Sequence, residues 1–216
     1  MPHASSEQKV VVKAPGMFNR LGIGDTKYLQ RLNKSFPNVK LLMVVRNPID
    51  RLVSDIAHTY SVKNTEIINT ESLPDLDKLL INDKIYVKEN NLKEVREMFF
   101  HLSNYPALYT ILTKIFPPTN ILVVDGDNLI KEPAAEMERV ERYLNISPYF
   151  NKNQFVIGPK GFPCFNMRKV SCMQENKGRH HPKIKKTTEY YLQEYFSPIM
   201  EKFQNMTGVN IMIHQG

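Results

Sequence analysis

No apolar run in the 216-residue sequence approaches the roughly 18 residues needed to cross a bilayer. The amino terminus, MPHASSEQKVVVKAP, also lacks the long apolar stretch of a secretory signal, so the sequence as it stands predicts no passage into the secretory pathway. There is no CxxC pair and no histidine cluster at zinc spacing, and no metal is expected. Internal repeats and low-complexity tracts are absent, which excludes a solenoid or a disordered tail protein. A strand–glycine–helix element of the GxxxxGK kind is missing too; the only near match, GPKG at 158–161, stands in the wrong context.

What is present suits one globular domain with a substantial core: 42% hydrophobic and 24% charged residues over this length. The net charge of +7 is concentrated in one place. Between Lys160 and Lys186 lie eight Lys or Arg residues against the single acid Glu175, while the remainder balances at 21 of each sign. Such a window is either a solvated face or a site for an anion. A nucleic-acid surface fits it poorly, because no helix is uniformly basic and no aromatics interleave with the run. The two cysteines, Cys164 and Cys172, fall inside this window. Lone cysteines are commonly buried thiols, but a pair flanking a basic turn with Gly and Pro predicts a small disulfide-closed hairpin. Sequons at Asn33, Asn145 and Asn205 add a hint of a lumenal ancestry, with Pro148 weakening the second.

Along the chain, residues 1–8 are expected to be disordered and KVVVKAP (9–15) reads as a short buried strand stopped by Pro15. A helix is predicted from an Asp25 N-cap through TKYLQRLNKSF. VKLLMVV (39–45) has the continuous apolar character of a strand buried on both faces, and IDRLVSDIAHTY after it has helical spacing. The stretch 61–92 reads as a variable loop with a short helix at LPDLDKLL, and 93–116 as one long helix. NILVVDGDNL repeats the strand–turn pattern, leading into a helix through EPAAEMERVERYL. Short strands and turns are expected over 149–183, then an amphipathic helix at 187–208 capped by Gly208. Strands alternating with helices predict an α/β fold around a parallel sheet.

Ligands in open parallel sheets bind at the carboxyl ends of the strands. VVRNPIDRLVSD places Arg46 at such an end, with Ser54 about two turns into the following helix. A guanidinium fork and a hydroxyl together suit a phosphate. The alternative makes Arg46 a capping or ion-pairing residue and Ser54 incidental, and the stretch alone favours neither.

VKLLMVVRNPIDRLVSDIAHTY resembles the strand–turn–helix of sulfotransferases that binds the 3′-phosphate of 3′-phosphoadenosine 5′-phosphosulfate. KGFPCF, Cys172 and KGRHHP, in that order, resemble the C-terminal loop of the heparan sulfate glucosamine 3-O-sulfotransferases. FPPTNILVVDGDNLIKEPAAEMERVERYL and VVVKAPGMF resemble two further parts of that family, so the likeness runs in patches from about residue 10 to 208. The resemblance implies a sulfotransferase fold related to P-loop NTPases, in a single domain whose loop at 149–186 meets cofactor and substrate. It implies that Arg46 and Ser54 hold the 3′-phosphate, and that Lys177, Gly178 and Arg179 close over the same nucleotide. His180 and His181 lie in that loop, where they would add charge at mildly acidic pH or be merely structural. Lys13 matches the lysine beside the reacting sulfuryl group, Lys160 a residue facing the sulfated polysaccharide, and Cys164 with Cys172 the family disulfide. The implied acceptor is heparan sulfate and the implied compartment the Golgi lumen.

The sequence departs from the family in several places. Val12 stands where an acid is usual, Ala14 where a hydroxyl is expected and Leu112 where tryptophan is common; the chain has no tryptophan at all. The family's glutamate base and its 5′-phosphosulfate loop have no counterpart here. The chain therefore reads as the C-terminal two-thirds or more of such a domain, with retention of the 3′-phosphate residues favouring a fragment of an enzyme. The other reading is a catalytically inactive module that binds nucleotide or sulfated glycan.

Overall fold

The computed structural model describes residues 11–14, 16–17, 25–61, 73–173 and 182–213. Outside these lie the expected disordered stretch 1–8, the start of the expected strand 9–15, much of the variable loop, and Lys177, Gly178, Arg179, His180 and His181.

Helix α1 (Lys27–Ser35) leads into strand β1 (Leu41–Val45) and helix α2 (Pro48–Ser61). Four helices follow: α3 (Leu76–Leu80), α4 (Lys84–Glu89), α5 (Lys93–Leu102) and α6 (Tyr105–Thr113). Strand β2 (Ile121–Asp125) then gives way to α7 (Gly126–Lys131) and α8 (Pro133–Leu144). β1 and β2 pair in parallel, with Leu41 opposite Ile121 and Val45 opposite Asp125. An antiparallel sheet of β3 (Phe155–Ile157), β4 (Pro163–Asn166) and β5 (Val170–Ser171) precedes the last helix, α9 (Lys186–Thr207). Among the described residues no helix is long and apolar enough to cross a membrane.

The core has two parts, and α9 joins them. Leu192 and Phe196 pack with α2, α3 and α5 residues, among them Leu52, Ile56, Leu79 and Phe99. Met200 and Phe203, further along the same face, pack with Met43 and Val45 of β1 and with Tyr105, Leu108 and Tyr109 of α6. The spacing of these four residues keeps one apolar row facing inward. Gly208 ends the helix as expected, at φ 72°, with its N–H donated to the Gln204 carbonyl.

Several expectations are corrected. Residues 11–14 form no strand, and Val11 and Val12 stand 73% and 61% exposed. An apolar run becomes a strand only where a neighbouring backbone takes up its N–H and C=O groups, and none of the described residues does so here. β1 is buried on one face only: Met43 and Val45 are inside, whereas Leu42 and Val44 are exposed. α8 packs against β2, whose Val124 is buried where the neighbouring Val44 of β1 is exposed. The predicted helix 93–116 is two helices, because Pro106 lacks the N–H that a continuous helix needs and its ring would clash with the preceding turn. Asn104 starts the second helix by accepting the Ala107 N–H. Thr26 rather than Asp25 is the boundary residue of α1, although the Asp25 carboxylate does accept the Lys27 N–H at 3.2 Å. The loop 61–92 holds the expected helix, α3, and also α4, which Asp83 caps through the Ile85 and Tyr86 N–H groups.

α3 carries Asp77, whose carboxylate accepts the Lys185 N–H at 2.8 Å and the Thr188 hydroxyl at 2.5 Å. It fastens the start of α9 from 108 residues away. Partial desolvation raises the Asp77 pKa, but the bonds from Thr188 and Lys185 outweigh it, and the net shift is downward. A native pKa below the unfolded value means stability present above the ordinary carboxylate range and lost as pH falls through the lowered value. Asp77→Asn is therefore expected to cost about 1 kcal/mol at pH 7 and to flatten the loss of stability below about pH 4, read from urea midpoints at several pH values. Equal acid sensitivity in wild type and variant would contradict this assignment.

Candidate functional site

The carboxyl ends of β1 and β2 lie side by side, and the chain is fixed there by a set of short-range bonds. Asn47, 2% exposed, caps α2 by accepting the Ile49 N–H at 2.9 Å. Asp125 caps α7 through the Asp127 and Asn128 N–H groups at 2.9 and 3.0 Å. Gly126 makes the close approach possible, since a Cβ there would stand 2.9 Å from the Val45 carbonyl oxygen.

Arg46 leaves β1 at the centre of this arrangement. Its guanidinium lies 3.3 Å from Asp127 and 3.6 Å from Asp50, and the buried Tyr105 hydroxyl donates to its carbonyl at 3.0 Å. Burial pushes the Tyr105 pKa up, so the hydroxyl stays protonated as the donor. The Arg46 Nε is buried and meets no acceptor among the described residues. Ser54 is half-buried and follows Asp50 by one turn of α2, while Arg46 precedes the helix. On the same helix Arg51 binds Asp55 at 2.7 Å and donates to the Ser103 hydroxyl at 3.2 Å. Burial raises the Asp55 pKa and prevails over the lowering influence of Arg51, His58 and Arg46.

Two arginines thus face three carboxylates. The sheet ends supply shape and directed donors but no surplus of positive charge. The surplus resides in the window 160–186 of the sequence.

Cys164 and Cys172 form a disulfide, with Cα atoms 4.3 Å apart. Lys160 lies exposed in the turn between β3 and β4. Lys13 is exposed in an irregular segment, with no hydrogen bond or ion pair among the described residues. Asp127, Tyr105 and Asn47 belong to the site although sequence reasoning did not single them out. The DGD triplet directly after an apolar strand was the available signal for the first. An open apolar cleft of about 380 Å³, lined by Leu129, Met137, Phe150, Phe155 and Phe165 among others, lacks the polar groups for anion chemistry.

The sulfotransferase domain pattern matches residues 27–211. Heparan sulfate glucosamine 3-O-sulfotransferase 5 of Homo sapiens is 30% identical over 213 residues, which cover 96% of this chain and 57% of that protein. Heparan sulfate glucosamine 3-O-sulfotransferase 6 of Mus musculus is 29% identical over 215 residues, with the same two coverages. The chain thus spans little more than half the length of these curated relatives. The crystal structure of a sulfotransferase from Alicyclobacillus acidocaldarius superposes with a TM-score of 0.54 at 16% identity, over 87% of this chain and 59% of that one. That likeness bears on fold alone, and it accords with the parallel sheet and flanking helices. The match over 27–211 decides the family: this chain belongs to the sulfotransferase domain family.

Proposed function

We propose that this chain is the nucleotide- and acceptor-binding part of a sulfotransferase that modifies the 3-hydroxyl of glucosamine in heparan sulfate, as a single domain. The donor would be 3′-phosphoadenosine 5′-phosphosulfate, which supplies the sulfuryl group. The observation that carries the reading is Arg46. It sits at the carboxyl end of a parallel strand, where ligands of such sheets bind, its backbone is held by Tyr105 and its Nε–H lacks an acceptor among the described residues. A phosphate fits that donor set: the guanidinium would take one face of the anion and Ser54, from α2, would donate from another. Lys177, Gly178 and Arg179, with His180 and His181 beside them, would supply the remaining donors and the positive charge that the sheet ends lack. Lys160 would face the sulfated sugar chain, and Lys13 the departing phosphate oxygen, once brought near it. The disulfide suits an oxidising compartment such as the Golgi lumen. Of the sequons, Asn145 and Asn205 are exposed, whereas the Asn33 amide is engaged with the Ile115 carbonyl at 2.7 Å.

Calorimetric titration with adenosine 3′,5′-bisphosphate tests the reading. Micromolar binding is expected, weakened roughly 10- to 100-fold in Arg46→Ala, the range for a lost charge-assisted hydrogen bond. A folded chain that does not bind, or an Arg46→Ala variant with unchanged affinity, overturns it. The second reading is a module that binds without transferring; it is favoured by the exposed, unpaired state of Lys13 among the described residues. Binding of nucleotide without sulfuryl transfer to heparan sulfate would decide for it.

A further inference from the structure

We propose that Asp127 is a positioning residue for the Arg46 guanidinium, an inference that rests on the nucleotide reading above. Parallel pairing of β1 with β2 places Val45 opposite Asp125, so the two turns leave the sheet together. Gly126 lets them touch, and Asp125 holds the second turn by its carboxylate. Asp127 then reaches across, its side chain only 16% exposed. One oxygen accepts the Asn47 N–H at 2.6 Å and the other lies 3.3 Å from Arg46 Nη2. A single carboxylate therefore fixes both the backbone after Arg46 and the direction of its side chain.

Two effects of opposite sign act on an incoming phosphate. A carboxylate near the site repels the anion and competes for the guanidinium. The same carboxylate holds a long side chain in one rotamer, so less freedom is lost when the ligand arrives. Asp50 shows the first effect without the second: it is 45% exposed, 3.6 Å from Arg46 and attached to no backbone N–H of the turn. Solvent screens it, and it can swing away. Asp127 is largely shielded from solvent and tied to the Asn47 N–H, and orientation prevails there.

The measurement is a double-variant cycle on adenosine 3′,5′-bisphosphate affinity. Asp127→Asn retains an oxygen for the Asn47 N–H and removes the charge that directs Arg46. It is expected to weaken binding about 3- to 10-fold, the size of immobilising one rotamer-rich side chain. In an Arg46→Ala background the same change is expected to do nothing, which a merely structural role would not produce. Asp127→Glu, which keeps the charge but displaces the carboxylate by one methylene, should also weaken binding, and Asp50→Asn should not. Equal or tighter binding by Asp127→Asn, or the same loss in both backgrounds, overturns the proposal while leaving the nucleotide reading intact. A wild type that fails to bind, or indifference to Arg46→Ala, overturns that reading and this inference together.

Discussion

Phe203→Ala is expected to destabilise the protein by about 3–5 kcal/mol, the range for deleting a buried aromatic ring from a packed core. Phe203 is fully buried on α9 and packs at a tilt against Tyr105 and edge-to-face against Tyr109, at ring-centroid distances of 5.7 and 6.1 Å. Its neighbours come from three different elements, α6, α9 and β1, so no single one can collapse into the space left. For a chain of this size the loss corresponds to a fall in melting temperature of roughly 10 °C. Phe203→Leu, which leaves most of the volume filled, should cost less than half as much. Urea unfolding of the three proteins makes the comparison. A loss below about 1.5 kcal/mol for the alanine variant would mean that α9 is not docked on α6 as described. The effect should also reach the site, because the Tyr105 hydroxyl that holds the Arg46 carbonyl belongs to the ring against which Phe203 packs.

Local features of the sequence specify the strands that end at the site. LLMVV and ILVVD are apolar, bounded by turn residues, and each leads into a helix with the right periodicity. Arg46 was legible for the same reason: a cation directly after such a strand has few other places to be. What was illegible depends on partners far away in sequence. KVVV looks like a strand in isolation, yet the exposed Val11 and Val12 have no neighbouring strand among the described residues. Tyr105 and Asp127 reach the Arg46 turn from 59 and 80 residues away, and nothing in their own neighbourhoods announces it. α4 was missed although it carries a local signal, the Asp83 cap, because only Val87 of its six residues is buried and the apolar period is faint.

Charge and shape are separated in this chain. The sheet ends are closely hydrogen-bonded and carry no positive surplus, whereas the basic window of the sequence begins within the disulfide-closed hairpin, at Lys160, Arg168 and Lys169, and runs on to Lys186. An anion held by one without the other would be poorly served: donors without counter-charge, or charge without direction. On the proposed reading, the hairpin's own geometry would bear on binding as well as on stability.

That geometry depends on Gly158, and Gly158→Ala is expected to cost about 2–3 kcal/mol under oxidising conditions, on the scale of overpacking or of the disulfide itself. Gly158 donates to the Phe162 carbonyl at 2.9 Å and so closes the β3–β4 turn, directly over the cystine. A Cβ there would overlap the Cys164 sulfur, and would stand 3.5 Å from that of Cys172 and 3.3 Å from the Phe162 carbonyl oxygen. Gly158 does not have a positive φ, so the expected cost is steric rather than a backbone penalty. Either the turn opens or the sulfurs move, and both alternatives loosen the bond that ties β4 to the residue after β5. This account makes a non-additive prediction. In a Cys164→Ala, Cys172→Ala background the colliding sulfur is gone, and Gly158→Ala should cost less than about 1 kcal/mol or even stabilise through its effect on the unfolded chain. Denaturant unfolding of the four proteins, with free-thiol titration to show that the single variant retains its disulfide, reads the cycle directly. A cost that persists undiminished without the sulfurs would locate the constraint in the Phe162 carbonyl and the turn, and the disulfide would then be a passenger on a hairpin that is rigid without it.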